Sequence, residues 1–339
     1  MTSLFRLLCV AAVGCFITAP LVSAQQGDRT PSNTTAPPHA PKRALSLPVI
    51  YDPRLAAQGF PSPLMKAEIG GHEALFIIDS GASANVLADW YAKVAQIPAD
   101  ETGSTAKGSG GNTSAARVAH QLQGHWSDGQ RFSLNEAVVV AFPPLFKSLH
   151  LGGLLSPQLL APVGAAAVLD LRIPSLQFAP FARALSDLQR SKSLPPPLTV
   201  TRTCENADSK VANRQYMAPV TTRGATDLVL VDTGATKTIL SDESNIAHAI
   251  ESLSELGPPS EGVGGEVSGR RIVRDVELLR GGRVVVLNPS IGKVSAACDA
   301  KGLLGMDGLR DCLLILGEKE MALSCEGATS LLSGRYTTN

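Results

Sequence analysis

Asp79-Ser80-Gly81-Ala82-Ser83 and Asp232-Thr233-Gly234-Ala235-Thr236 are two copies of one acid-centred pattern in a chain of 339 residues. Each follows an apolar run, Leu75-Phe76-Ile77-Ile78 before the first and Leu228-Val229-Leu230-Val231 before the second. An ionisable carboxylate at the end of a buried strand is costly unless the site uses it. Two of them, trailed by the same residue types, point to a pair brought together for chemistry.

The surroundings of the acids repeat too. Leu64 to Ile69, the Gly70-Gly71 turn and Ala74 to Ile78 have the pattern of a hairpin. Its counterpart is Tyr216 to Thr221, a turn around Arg223-Gly224, and Leu228 to Val231. After the acids come Asn85-Val86-Leu87 and Thr238-Ile239-Leu240, then the glycine-rich turns Gly108-Ser109-Gly110-Gly111 and Gly262-Val263-Gly264-Gly265. Gly153-Leu154-Leu155-Ser156 and Gly302-Leu303-Leu304-Gly305 close the series. One order at nearly one spacing implies a duplicated domain of mostly β structure.

These motifs resemble the retropepsin and pepsin superfamily of aspartic proteases, with both lobes in one chain. The resemblance runs from Leu47 to Glu326, and Ala82 and Ala235 make it more similar to the retroviral type than to pepsin. It implies an all-β fold of two pseudo-symmetric acid-protease β-barrel lobes with short helices. Asp79 and Asp232 would then be the catalytic acids, sharing one proton and activating a water between them. Ser80 and Thr233 would bond across the lobes, and Gly81 and Gly234 would let backbone approach the carboxylates closely. Hairpins at Lys107 to Asn112 and Glu261 to Glu266 would be flaps, with Ser109, Gly110, Gly111, Val263, Gly264 and Gly265 facing substrate.

The implied activity is that of an exported aspartic endopeptidase, a monomer acting on an extended peptide or protein without cofactor or metal. Its alternative is a non-catalytic peptide-binding or structural protein that keeps the fold. Alanine at 82 and 235 takes a hydroxyl donor away from each carboxylate, which predicts a mildly acidic to neutral optimum. The first lobe departs from the pattern at Ser156, where the second glycine belongs, and at Pro157-Gln158 after it. This segment should pack beside the first acid loop, where a serine is either tolerated or distorts the loop, and neither departure removes a catalytic acid.

Thirty basic and 30 acidic residues give zero formal charge, without a block of either sign. That argues against a nucleic-acid footprint and a polybasic membrane surface. Residues 1–24 have the form of a signal peptide, with Arg6, the apolar stretch Leu7 to Val22, and Val22-Ser23-Ala24 as a small-x-small cleavage site. A retained membrane anchor and a lipid anchor at Cys15 are its alternatives. The expected location is the periplasm or the exterior. Residues 25–46 form a Pro-, Ser- and Thr-rich disordered leader, and 47–180 the first lobe. The linker, 181–197, combines a short helix over Phe181 to Arg190 with Pro195-Pro196-Pro197. The second lobe spans 198–326, and 327–339 are a flexible tail.

Four cysteines remain beyond the targeting segment, Cys204, Cys298, Cys312 and Cys325, which allow three pairings. The preferred one is Cys298 with Cys312 and Cys204 with Cys325. C-x-x-C spacing is missing, which argues against zinc. His72-Glu73 begins a zinc-protease motif, but Phe76 stands where its second histidine is required. Asp307 has the place of a structural residue at the start of a short helix.

Overall fold

The computed structural model describes residues 10–11, 46–57, 61–108, 111–191, 198–200, 203–204, 215–257, 260–262, 265–281, 283–295 and 299–326. Nearly all of residues 1–45, where a targeting segment and leader are expected, lie outside them, as do the Pro195-Pro196-Pro197 stretch and residues 327–339. So do Cys298 and the flap-tip residues Ser109, Gly110, Val263 and Gly264.

Both halves are built on the same four-strand nucleus, and that nucleus is what presents the acids. In the first half, strand His72–Ile78 pairs in parallel with Leu151–Leu155. Leu151–Leu155 pairs antiparallel with Val86–Ala88, which in turn runs parallel to Arg131–Val140. The second half repeats this order: Ala225–Val231 beside Gly302–Leu304, then Ile239–Ser241, then Ser290–Gly292. Continuous Val, Leu and Ile runs suit strands covered on both faces, and Ile77, Ile78, Val229 and Val231 are fully buried. The acid follows at the end of each such strand.

Glycine opens each G-L-L strand for a steric reason. A Cβ at Gly153 would stand 2.0 Å from the Val86 carbonyl oxygen, and one at Gly302 would stand 2.4 Å from that of Ile239. No side chain can be housed there, so the strand behind each acid can pass only as glycine. Upstream, the expected hairpins form as Leu64–Ile69 with His72–Ile78 and as Gln215–Thr222 with Ala225–Val231. Leu64–Ile69 also pairs with Thr113–Trp126, which wraps the first sheet toward a barrel.

A six-stranded sheet joins the halves. Its order is Leu198–Val200, Met321–Cys325, Cys312–Leu316, Ala166–Asp170, Ser175–Ala179, Ser46–Pro48, three strands from each half. The central pair is antiparallel and sets Val168 opposite Ile315, so a pseudo-twofold axis passes between them. Helix Phe181–Arg190, as expected from sequence, covers this sheet with Ala184 and Leu188 against Ile315 and Ala322. One continuous core carries Phe76, Tyr91 and Leu155 from one half and Tyr216, Val229 and Leu304 from the other.

The cysteine pairing differs from the expectation. Cys312 is bonded to Cys325, not to Cys298. The reason is register: Cys312 and Cys325 are direct partners on adjacent antiparallel strands, with Cα atoms 3.9 Å apart. That excludes Cys204–Cys325 as well, and Cys204 lies on a short strand, Thr203–Cys204, against Gln215–Thr222. Peptide mapping without reduction should therefore join the Cys312 and Cys325 peptides; a Cys312–Cys298 link would overturn the assignment. Replacing both by alanine should lower stability by about 2–3 kcal/mol in urea unfolding, the usual cost for a short closed loop.

Candidate active site

Each acid sits in a tight loop that binds its own carboxylate. Asp79 Oδ1 accepts from the backbone N–H groups of Gly81 (2.8 Å) and Ala82 (3.0 Å). Asp232 Oδ1 accepts from those of Gly234 and Ala235, both at 3.0 Å. The strand behind each loop supplies the acid's own N–H with an acceptor, Leu155 O for Asp79 and Leu304 O for Asp232.

The two loops are then locked to each other by a reciprocal exchange. Ser80 Oγ donates to Val231 O at 2.8 Å and accepts from Thr233 N at 3.1 Å. Thr233 Oγ1 donates to Ile78 O at 2.6 Å and accepts from Ser80 N at 3.0 Å. The expectation that Ser80 and Thr233 bond across the halves is met on both sides.

Gly81 and Gly234 bring the carboxylates face to face. A Cβ at Gly81 would stand 2.5 Å from the Asp232 carboxyl carbon, and one at Gly234 would stand 2.4 Å from that of Asp79. Each acid therefore lies against the opposite loop's glycine, which places both carboxylates at the junction of the halves. Both residues are buried, with 0% and 1% of their surface exposed.

Burial is the largest influence on both acids, and it raises both above the ordinary carboxylate range. Asp79 moves to about 6, with the Asp232 carboxyl and the N–H groups of Gly81, Ala82 and Gly234 pulling it back. Asp232 moves well upward, and the charge of Asp79 adds to the rise. Two carboxylates this close hold one proton between them at moderate pH.

Behind the loops the halves use different chemistry at equivalent places. Six residues after each acid stand Asn85 and Thr238. Asn85 Oδ1 accepts from Ser156 N at 3.0 Å, and Thr238 Oγ1 accepts from Gly305 N at 3.2 Å. Ser156 does not distort the first loop. Its Oγ donates to Ala82 O at 3.0 Å, within a fully buried site. Gly305 has no such room, because a Cβ there would meet the Lys237 carbonyl carbon at 2.5 Å. Gln158 takes the place of Asp307: its Nε2 donates to Ser80 O at 3.0 Å, whereas Asp307 Oδ1 accepts from Thr238 N and Oγ1. Asp307 lies on helix Met306–Leu309 and is structural, as expected.

Sequence reading passed over a further equivalent pair. Ser62 and Gln215 stand seventeen residues before their acids, and each reaches the opposite loop. Ser62 Oγ donates to Gly234 O at 3.4 Å, and Gln215 Nε2 donates to Gly81 O. The signal was available in the repeat, because aligning the acids superposes these two polar residues just ahead of matching hairpins.

Both glycine-rich turns follow strands that pair as hairpins. Asp100–Lys107 pairs with Thr113–Trp126 up to Lys107 opposite Thr113, closed by a Gly108 N to Asn112 O bond of 2.8 Å. Ser260–Gly262 pairs with Gly265–Val267, ending at Gly262 opposite Gly265. A Cβ at Gly111 would lie 3.9 Å from the Ser295 side chain, so the first hairpin reaches the second half. Of the six flap residues named from sequence, Gly111 and Gly265 are within the described residues.

The family model for aspartyl proteases matches residues 65–154, from the first strand of the first hairpin to the G-L-L strand behind Asp79. Over that segment the chain is similar to aspartyl proteases, and the second half, outside the match, carries an equivalent acid loop around Asp232. Among solved structures, the aspartic proteinase from Irpex lacteus is similar, at 10% identity and a TM-score of 0.49, over 86% of this chain and 100% of that one. No curated protein matches the chain by sequence.

The raised acids set the sign of a stability effect. A carboxyl whose folded pKa exceeds its unfolded value stabilises the fold below the unfolded value and loses that contribution as pH rises through the folded one. For Asp79 the loss runs from about pH 4 to about 6, and Asp232 extends it upward. Asp232→Asn should therefore melt higher than wild type at pH 8, with the gain gone by pH 4. A variant melting lower at pH 8 would contradict this assignment.

Proposed function

We propose that the chain is an exported aspartic endopeptidase that cleaves peptide bonds through a water activated between Asp79 and Asp232. The observation that carries this reading is the reciprocal seating of each carboxylate against the opposite loop's glycine. The ionised acid takes a proton from the water, and the water attacks the scissile carbonyl. The protonated acid gives its proton to the developing oxyanion. Because burial raises both acids, the pair keeps its single proton at mildly acidic to neutral pH, where activity is expected to peak.

Substrate is an extended peptide or protein segment, enclosed by the hairpins at Lys107 to Asn112 and Glu261 to Glu266. A strand laid under such hairpins gains backbone hydrogen bonds and loses water. The apolar segment Leu7 to Val22 and its cleavage pattern support export, to the periplasm or beyond.

Peptide libraries incubated with the mature protein between pH 4 and 7.5, followed by mass spectrometry, test this directly. Cleavage should be blocked by a statine-type inhibitor and fall by about 10³-fold or more in Asp79→Asn and in Asp232→Asn. Retention of activity in both variants, or no cleavage by wild type, would refute the proposal.

A further inference from the structure

The pseudo-symmetry of the acid loops is broken by the side chains that touch their carbonyl groups. The Gly81 carbonyl and the Ala82 N–H belong to one peptide unit. Gln215 Nε2 donates to that carbonyl, and the same unit's N–H donates to Asp79 Oδ1 at 3.0 Å. One peptide earlier, Gln158 Nε2 donates to Ser80 O at 3.0 Å, and the Gly81 N–H donates to Asp79 Oδ1 at 2.8 Å. Both donors of the first loop thus sit in peptide groups whose carbonyl oxygens are engaged by a buried amide. Both partners are carbonyl oxygens, so each glutamine must present its NH₂ end.

The second loop has less. Ser62 Oγ reaches Gly234 O at 3.4 Å, feeding the Ala235 N–H that donates to Asp232 Oδ1. At the place of Gln158 stands Asp307, whose Oδ1 is an acceptor for Thr238. Among the described residues, the Ser80 and Gly81 carbonyls of one loop accept from two amide donors, whereas the other loop has one long hydroxyl contact and, at the place of Gln158, an acceptor. Hydrogen bonds in a chain polarise one another, and a carbonyl that accepts a bond makes its own peptide N–H a better donor.

We infer that Gln215 and Gln158 are positioning residues that polarise the acid pair, so that Asp79 carries the negative charge and Asp232 keeps the shared proton. The balance is local. Beyond burial, the groups that move either acid are the other acid and the N–H groups of Gly81, Ala82, Gly234 and Ala235. Asp307, on the helix behind the second loop, is engaged by Thr238 and has Lys237 beside it. Asp79 is then the general base toward water, and Asp232 the proton donor to the oxyanion. This kinetic consequence rests on the proteolytic reading; the placement of charge does not.

Carboxyl ¹³C titration of the full mature chain reads the placement without an activity assay, with Asp79→Asn and Asp232→Asn used for assignment. In wild type the lower midpoint should belong to Asp79. Gln215→Met keeps length and volume but removes the donor, and it should raise the Asp79 midpoint by about one pH unit. Gln158→Met should move it the same way, while Ser62→Ala should leave it in place. In cleavage assays Gln215→Met should shift the acid limb of the kcat profile upward by a similar amount, with KM within about twofold.

An unmoved Asp79 midpoint in either glutamine variant, or a lower midpoint on Asp232 in wild type, would overturn the inference. If Gln215→Met does not fold, judged by circular dichroism, the Gln158→Met and wild-type titrations decide the matter. A wild type that titrates as expected yet cleaves no peptide would remove the proteolytic reading and leave the charge placement standing.

Discussion

Everything at this site depends on the exchange between Ser80 and Thr233. Each hydroxyl donates to the carbonyl two residues before the opposite loop's hydroxyl residue, and each accepts the opposite N–H. Four buried hydrogen bonds, each contributing about 1 kcal/mol net, do more than bind two loops. They fix the distance between two carboxylates that neither half can set alone. Without that lock, Gly81 and Gly234 would not face the opposite acids, and the burial that raises both would not be shared.

The exchange requires that the halves arrive in one orientation, which the six-stranded sheet provides. Its central pair comes from Ala166–Asp170 and Cys312–Leu316, one strand from each half, so the sheet ties the two halves directly to each other. Symmetry of the backbone does not extend to the side chains beneath it. Asn85, Ser156 and Gln158 occupy in one half the places of Thr238, Gly305 and Asp307 in the other, with different bonds. Duplication with divergence leaves two acids in like places with unlike donors around them.

Much of this was legible in the residues. The acid motifs, the hairpins, the helix Phe181–Arg190 and the G-L-L strands follow from local patterns of period two or 3.6 and from glycine. Ser156 is the instructive case. Judged as a missing glycine, it leaves tolerance and distortion both open; in place, its hydroxyl finds Ala82 O and completes the loop. Cavity shape and the direction of a carbonyl decided that, and neither is written in a neighbouring residue. Cys312 and Cys325 show the same limit, because their pairing depends on strand register rather than on cysteine count.

By itself, then, the sequence determined that two acids end two buried strands and that one unit of mostly β structure occurs twice. Repetition and apolar periodicity are properties of the chain read in order, and they need no third dimension. Tertiary structure alone decided which cysteines meet, how Ser156 is accommodated, and that Ser62 and Gln215 touch the opposite loops. Gln215 and Gly81 are 134 residues apart in sequence. A contact across that separation exists only once both halves have folded and docked, so no local pattern can encode it.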